Sequence, residues 1–391
     1  MNSLKRKHSK THHLDDVIIC SGYLMIAACI IALFMENSSW SIYYEAIEQY
    51  PIRIHLGFTV LKKTFLIFVN EGLMTIFFFL IGLEIKSAYV NGPLNDIKKA
   101  ALPIFAALGG MVVPALFYIL LNYNQALYLN GWAIPMATDI AFSLAIYSMV
   151  NRQFPIELRL LLTTLAIIDD IGAILVIGLF YTDHLSYSWM WISMILCFMM
   201  CVFKYLRFES VILYLSLGLL LWYGVLFSGL HATLAGVIVA FFIPYKNSKG
   251  LYPIKSLEKQ IMPWVYYIVL PLFAFLNSGI DFRGLQLNYL INTSSMGIIL
   301  GLLFGKPIGV MLFSWFSTHF GLAKLSEGLD WKMILGVGFL TGIGFTMSLF
   351  ITSLSFETHF PTLMSARFGI LVASILSGLL GFILLRRIPL K

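Results

Sequence analysis

Two adjacent aspartates, Asp169 and Asp170, lie near the middle of an apolar stretch that runs from Leu160 to Tyr181. A run of about 20 apolar residues is long enough to cross a bilayer as a helix. Carboxylates are costly to place in lipid, and inside a span they mark ion or proton pathways. Hard cations such as Na⁺ and Li⁺ prefer oxygen ligands, as Mg²⁺ and Ca²⁺ do. The pair therefore predicts a site where a cation and a proton compete for the same carboxylates.

Other ionisable side chains inside apolar segments are few: Glu71, Glu84, Asp139, His231 and Lys306. Each also has a purely structural interpretation. Asp139 can cap a broken helix, and Lys306 can be a fixed counter-ion instead of a proton carrier. Glu71 can be an interfacial charge, Glu84 can lie at the cytoplasmic rim, and His231 can be a hydrogen-bonded core histidine. The aspartate pair has no such alternative, because two adjacent buried acids stabilise nothing by themselves.

The spacing of these residues predicts that several of them meet at one depth. Asp139 precedes a predicted turn near Gln153 by fourteen residues, and Asp169 follows it by sixteen. At about 1.5 Å per residue, both side chains reach a similar level of the membrane. Lys306 lies in the middle of its own apolar segment. Because neighbouring residues on a helix differ by about 100°, one aspartate can face this lysine while the other faces an opening.

Two of the apolar segments are interrupted by their own sequences. In GWAIPMATDIAF, Pro135 comes shortly before Thr138 and Asp139. In VGFLTGIGFTMSLF, Gly342 and Gly344 come before Thr346, which aligns with Thr138. Interrupted segments in corresponding positions are the sequence pattern of a transporter binding site. The N-termini of half-helices are positive and their C-termini negative, so we expect an acid to neutralise the first and a lysine the second.

The composition indicates a polytopic membrane protein. Of the 391 residues, 59% are hydrophobic and 12% are charged, whereas soluble domains carry about 25% charged residues. We predict one all-α membrane transporter domain over 1–391. Its twelve transmembrane helices are predicted near 17–36, 64–85, 100–121, 130–151, 156–181, 187–204, 210–224, 228–244, 260–279, 295–317, 333–356 and 364–386.

The distribution of basic residues predicts the orientation of these spans. Twenty of the 26 lysines and arginines fall in one set of connections together with both termini, and five fall in the other set. Positive residues concentrate on the cytoplasmic side, so residues 1–16 are expected to form a cytoplasmic tail and both termini to be cytoplasmic. The run from Val17 onward is interpreted as an uncleaved first span. The basic pI is explained by this bias, and no nucleic-acid partner is expected.

The external loop over 37–63 has a different pattern. From Ile52 to Phe58, apolar residues alternate with polar or small ones, which is the period of a strand. A small external β-hairpin is predicted here, with a solvated loop as the alternative. An exposed strand edge can pair with a second copy of the chain, which suggests a homodimer. The four cysteines form no metal-binding or disulfide pattern, and no cofactor is expected.

Several motifs resemble those of the bacterial NhaA family of Na⁺/H⁺ antiporters, and the resemblance covers nearly the whole chain in order. The matching stretches are FFFLIGLEIK (77–86), WAIPMATDIAFSLA (132–145), LAIIDDIGAILVI (165–177), HATLAGVIVAFFIP (231–244), LPLFAFLNSGI (270–280), GKPIGV (305–310) and GIGFTMSLFI (342–351).

This resemblance implies a fold in which spans three to five and ten to twelve form an inverted-topology repeat, with spans four and eleven broken where they cross. It implies a cation and proton site at Asp169 and Asp170. Asp139 then balances the helix dipoles at the breaks, Lys306 either pairs with Asp169 or balances the other helix ends, and Thr138 lies near the cation. Protons would enter and Na⁺ or Li⁺ leave electrogenically by alternating access across the bacterial inner membrane, which serves sodium and pH homeostasis.

The family is regulated by pH, and the resemblance implicates the cytoplasmic ends of spans two and nine. Glu84 and Glu258 match the family pattern there, and His231 is a further candidate. Ser87 and Ala88 replace charged residues of the pattern, and Lys259 and Met262 stand where histidines are expected. The transport motifs are therefore intact, whereas the residues of the pH response differ.

Three other functions fit the sequence less well. A Na⁺-coupled symporter of organic anions needs a polar substrate cavity, but the apolar segments contain little Asn or Gln. An intramembrane aspartyl protease carries separated GxGD and YD motifs, whereas these acids are adjacent and a lysine lies at similar depth. A channel does not need a buried Asp–Lys pair. We therefore expect a secondary transporter rather than an enzyme.

Overall fold

The computed structural model describes residues 2–56, 59–150, 154–181, 185–283, 292–326, 328–357 and 359–388. Nearly all of this chain is helical. The helices are α1 (Asn2–Glu36), α2 (Ser41–Glu48), α3 (Phe65–Asn91), α4 (Ile97–Asn122), α5 (Ile140–Met149), α6 (Ile156–Phe180), α7 (Tyr187–Tyr205), α8 (Val211–Ser228), α9 (Thr233–Phe242), α10 (Pro253–Asn277), α11 (Thr293–His319), α12 (Trp331–Thr341), α13 (Phe345–Ser355) and α14 (Phe360–Arg387).

Within these described residues, nine helices are long and apolar enough to cross a membrane, or up to eleven spans if each of two bent pairs counts as one. The structure differs from the prediction over 228–244, where helix α9 has only ten residues. Such a helix is about 15 Å long, which is half the thickness of the hydrocarbon core. The preceding helix, α8, ends at Ser228. The next residue, Gly229, has a positive φ of 87°, a left-handed conformation in which the helix cannot continue.

Two strands follow α2. β1 (Pro51–Leu56) pairs antiparallel with β2 (Thr59–Thr64), with Ile54 opposite Leu61. The tip of the predicted hairpin, at positions 57–58, lies outside the described residues, as does the predicted turn near Gln153. Helix α1 already begins at Asn2, so residues 2–16, expected as a tail, continue the first helix.

Helices α4 and α11 cross at two glycines. A Cβ atom built on Gly109 or on Gly309 would lie 2.1 Å from the carbonyl oxygen of the other residue. The adjacent Gly110 faces the same helix, since a Cβ at that position would lie 3.2 Å from Val310 Cγ2. This close crossing therefore presses the helix that carries the buried lysine onto α4.

Helix α2 is fastened to the end of α10, and an arginine of α14 hydrogen-bonds to the chain just after that end. The Tyr44 hydroxyl donates to the Phe275 carbonyl at 2.7 Å, and Arg367 donates to the Gly279 carbonyl at 3.3 Å. Glu48 ends α2 and is partly buried near these groups. Burial raises the pKa of Glu48 to about 7, although the positive charge of Arg367 acts in the opposite direction.

We expect Gly309→Ala to destabilise the protein by about 1–3 kcal/mol or more, the cost of overpacking, because the new methyl group meets the Gly109 backbone. Thermal unfolding of the purified protein in detergent measures the effect. Gly178→Ala is the matched control, since its Cβ would be 3.5 Å from the nearest atom, Leu234 Cδ1, and alanine favours a helix by about 1 kcal/mol over glycine. Equal unfolding temperatures for the two variants would contradict the tight crossing.

Glu48 predicts a pH dependence of stability. Between its ordinary pKa of 4.5 and its folded pKa of about 7, the folded protein holds more protons at Glu48 than the unfolded chain does. The free energy of unfolding should therefore fall as the pH rises through this window. Glu48→Gln should remove that decline and stabilise the protein above the window, whereas Glu45→Gln, at an exposed position of the same helix, should not. A pH series of thermal unfolding that is identical for both variants would refute this role.

Candidate functional site

Two interrupted segments meet inside the helical bundle. A 3₁₀ turn at Ile134–Met136 leads through extended residues to α5, and residues 342–344 separate α12 from α13. Both segments bend by 44°. The Asp139 backbone N–H donates to the Ile343 carbonyl at 2.7 Å. Backbone groups at membrane depth need a protein partner, and here one break supplies the partner for the other.

The glycines of the second break provide space for close packing. Gly342 and Gly344 have φ values of −69° and −87°, which any residue can adopt. A Cβ on Gly342 would lie 2.4 Å from the Leu302 carbonyl oxygen, on the helix that carries Lys306. At the first break Pro135 plays the complementary part, because it packs against Gly301. The breaks therefore seat directly against α11.

Asp139 caps two helices at once. Its Oδ1 accepts a hydrogen bond from the Phe142 backbone N–H at 3.0 Å. Its Oδ2 accepts one from the Thr346 N–H at 3.1 Å and one from the Thr346 hydroxyl at 2.5 Å. These donors lie in the first turns of α5 and α13, where the helix dipoles are positive. The single carboxylate, which is 2% exposed, thus neutralises the N-termini on both sides of the crossing.

Lys306 and Asp169 form a fully buried ion pair. Lys306 Nζ lies 2.9 Å from Asp169 Oδ2 and also donates to the Met136 carbonyl, at the C-terminal end of the 3₁₀ turn. Thr138 Oγ1 lies 2.5 Å from the same carboxylate oxygen and 3.0 Å from the Thr341 carbonyl oxygen. The hydroxyl has one proton, so it donates to only one of these acceptors at a time.

Asp170 is buried beside the ion pair. Asp170 is 2% exposed. The charged groups that act on its carboxylate are Asp169, Glu84, Asp139 and Lys306. Within the described part of the chain, Asp169 Oδ1 and Asp170 Oδ1 are buried and accept no hydrogen bond. Such oxygens are costly to leave without a partner. They are suited to hold a proton or to coordinate a small cation.

A cavity of about 340 Å³ leads toward this site from one side. Thr163 and Ile167, which precede Asp170 by two turns and one turn on α6, line its wall. Glu84 and Glu258 line the same cavity. The cavity therefore comes within one helical turn of Asp170, which does not itself line it, and brings two of the expected pH-response residues together.

His231 is not in this group. It lines a different cavity of about 300 Å³ with Glu71 and Arg367, and its Nε2 is hydrogen-bonded to the Tyr181 carbonyl. Glu71 and Glu84 are thirteen residues apart on α3, which is about 20 Å along the helix. The two cavities therefore lie toward opposite ends of the bundle.

Several contributing groups were missed by the sequence analysis because they belong to the backbone. The carbonyls of Met136, Thr341 and Ile343 receive the hydrogen bonds that organise the site. The adjacent glycines at positions 109–110 were a visible signal for a close helix crossing, whereas the identity of the accepting carbonyls depends on the tertiary fold.

Comparisons with known proteins agree with the motifs. The family model described as Na⁺/H⁺ antiporter 1 matches residues 16–385. Proteins named Na(+)/H(+) antiporter NhaA from Citrobacter koseri, Escherichia coli O139:H28 and Shigella boydii serotype 4 are each 44% identical to this chain over 367 residues. The matched region covers 93% of this chain and 95% of each relative.

The buried ion pair predicts strong energetic coupling between its partners. Lys306→Gln leaves the Asp169 carboxylate buried without its counter-charge, and such a loss typically costs about 3–5 kcal/mol. Asp169→Asn in turn leaves the Lys306 ammonium group buried without its counter-charge. The double variant removes both charges and should unfold at a higher temperature than either single variant. Thermal unfolding in detergent provides the double-mutant cycle, and a double effect equal to the sum of the single effects would show that the pair is not coupled.

Proposed function

Because the chain belongs to the Na⁺/H⁺ antiporter 1 family, we propose that it exports Na⁺ in exchange for incoming protons, with Li⁺ as an alternative substrate. It is a multi-pass bacterial membrane protein and a secondary transporter in this assignment. We place it in the inner membrane with both termini in the cytoplasm, on the basis of the uneven distribution of its basic residues.

The unpaired buried oxygens of Asp169 and Asp170 carry this proposal. A buried carboxylate needs either a proton or a cation to offset the loss of water. Na⁺ and H⁺ therefore compete for the same oxygens, and the binding of one releases the other. Asp170 is the primary ligand, since Asp169 is already shared with Lys306 and Thr138. The Thr138 hydroxyl oxygen offers an additional neutral ligand.

Lys306 allows the site to hold two acids without a cation. It offsets the charge of Asp169 while Asp170 carries a proton. When Na⁺ enters between the aspartates, Asp169 turns from the lysine to the cation, and the lysine loses the counter-charge that keeps it protonated. Asp170 then releases one proton and the Asp169–Lys306 pair releases another for each Na⁺ bound. Because two protons are exchanged for one Na⁺, the exchange is electrogenic.

The broken helices provide the moving part. Asp139 removes the need for water at the two positive helix ends, so the crossing can shift without exposing unpaired backbone. An inverted repeat that relates α4–α6 to α11–α14 is supported by two similarities between the halves. Both interrupted segments bend by 44°, and the crossing of α4 with α11 is formed by one glycine from each. Alternating access then opens the site first to one cavity and then to the other.

The pH response is proposed to involve the cavity that contains Glu84 and Glu258. Ser87, Ala88 and Met262, which replace titratable residues of the family pattern, line the same cavity. Fewer charges therefore surround the two glutamates, and we expect a weaker pH activation than in relatives that keep the pattern. The β1–β2 edge supports a homodimer, since exposed strands can pair between copies.

Dissipation of a preformed ΔpH in everted membrane vesicles tests the exchange. Wild type should dissipate ΔpH when Na⁺ or Li⁺ is added and remain silent with K⁺. Asp170→Asn should reduce this response to the background of vesicles without the protein, because an amide binds neither the proton nor the cation as a carboxylate does. Glu45→Gln, which changes an exposed acid, is the matched control and should respond as wild type.

Protein levels in the vesicles are measured by in-gel fluorescence so that poor insertion is not mistaken for inactivity. A full Na⁺ response in Asp170→Asn would move the cation site away from this pair. Wild-type protein that is inserted but dissipates no ΔpH at any pH tested would reject antiport and favour symport of another solute.

A further inference from the structure

A groove of about 600 Å³ runs between α11 and α12, and only apolar residues line it. On α11 its wall includes Phe304, Ile308, Leu312 and Trp315, each between 45% and 53% exposed. Their spacing of three or four residues places them on one face of the helix. These large side chains therefore present a continuous apolar stripe to whatever fills the groove.

The second wall and the floor come from α12. Trp331, Leu335 and Phe339 repeat every four residues along it. At the deep end the two helices touch, since a Cβ on Gly338 would lie 3.1 Å from Pro307 Cα. Because the helices run in opposite directions there, Trp331 lies at the same end of the groove as Trp315. The groove thus has a deep end closed by backbone contact and an outer end with two tryptophans.

The dimensions of the groove match one leaflet of a bilayer. From Phe304 to Trp315 the helix advances eleven residues, about 16 Å, and one leaflet contributes about half of a 30 Å hydrocarbon core. Tryptophan is enriched at the membrane–water interface, which agrees with the outer position of both tryptophans. The deep end lies beside Lys306, the buried residue that precedes Pro307. A single acyl chain therefore fits the length of the groove.

Basic residues lie in the chain segments next to the outer end of the groove. Lys332 directly follows Trp331, and the end of α14 is close because a Cβ on Gly336 would lie 2.5 Å from Leu385 Cδ2. The basic residues near this end are Lys324, Lys332, Arg386 and Arg387. The connection between α11 and α12 also carries two acids, Glu327 and Asp330, so the four basic residues exceed the acids by two. Basic pockets between helices on the cytoplasmic side are suited to anionic headgroups.

We propose that this groove binds an anionic phospholipid, with one acyl chain between α11 and α12 and the phosphate among the basic residues at the outer end. The site is separate from the ion pair and does not depend on the ion exchange. Because the acyl chain would lie against Pro307 and Phe339, it would fill the space behind the helix that carries Lys306 and behind the end of α12. Occupancy therefore stabilises the packing of these two helices.

Lipid titration of the purified, delipidated full-length protein tests the site. Phosphatidylglycerol and phosphatidylcholine with identical acyl chains are added in detergent, and bound lipid is counted by native mass spectrometry while unfolding temperature is followed. Leu312→Trp fills the groove. Leu379→Trp is its control, since Leu379 is 54% exposed on α14 and Leu312 is 52% exposed, but only Leu312 lines the groove.

Phosphatidylglycerol should raise the unfolding temperature of wild type and of Leu379→Trp more than phosphatidylcholine does. Leu312→Trp should weaken its binding by about tenfold or more, because losing the burial of two methylene groups is sufficient for that change. Lys332→Gln combined with Arg386→Gln should remove the preference for phosphatidylglycerol and leave the weaker phosphatidylcholine binding unchanged. Ile308→Phe is a milder groove-filling variant that should act in the same direction as Leu312→Trp.

Three results would overturn the proposal. Equal phosphatidylglycerol binding by Leu312→Trp and Leu379→Trp would show that the groove is not the site. Equal stabilisation of wild type by the two lipids would exclude recognition of the anionic headgroup. Loss of a dimer in Leu312→Trp, with lipid binding unchanged, would identify the groove as a surface between two copies of the chain.

Discussion

The organisation of the molecule depends on one constraint: backbone groups freed by two breaks inside a helical bundle must find partners there. Water cannot supply them at membrane depth, and the two breaks satisfy part of this need for each other through the Asp139 N–H and the Ile343 carbonyl. The Asp139 carboxylate then covers the starts of α5 and α13. An interruption in either segment alone would leave these donors and acceptors exposed to lipid, so the crossing requires both.

The charged residues occupy places prepared by that crossing. Lys306 reaches the Met136 carbonyl, which the first break leaves free, and the same ammonium group pairs with Asp169. A residue that satisfies backbone and carboxylate together cannot be moved without disturbing both. The pair therefore connects helix geometry to carboxylate charge, and this connection allows a change in the occupancy of the acids to be felt by the broken helices.

Much of this arrangement follows from the sequence, and the exceptions have physical causes. Depth counted along the helices predicted that Asp139, Asp169 and Lys306 would approach one another, because helical rise is regular. The prediction was less accurate over 228–244, where a left-handed Gly229 follows the end of the preceding helix and the next helix, α9, has only ten residues. Residue counting also could not separate His231 from the glutamates at the other cavity, since that separation depends on which helices are neighbours.

The two cavities at opposite ends of the bundle have an electrical consequence. Cavities that contain water carry the potential of their own bath inward, so the membrane voltage falls mainly across the protein between them, over about 20 Å instead of the full hydrocarbon core of about 30 Å. A net elementary charge that crosses this layer changes its free energy by about 2.3 kcal/mol per 100 mV. The field on Asp170 is therefore steeper than the same voltage spread across a whole bilayer, and each ångström that a charge moves there couples to a larger share of the voltage.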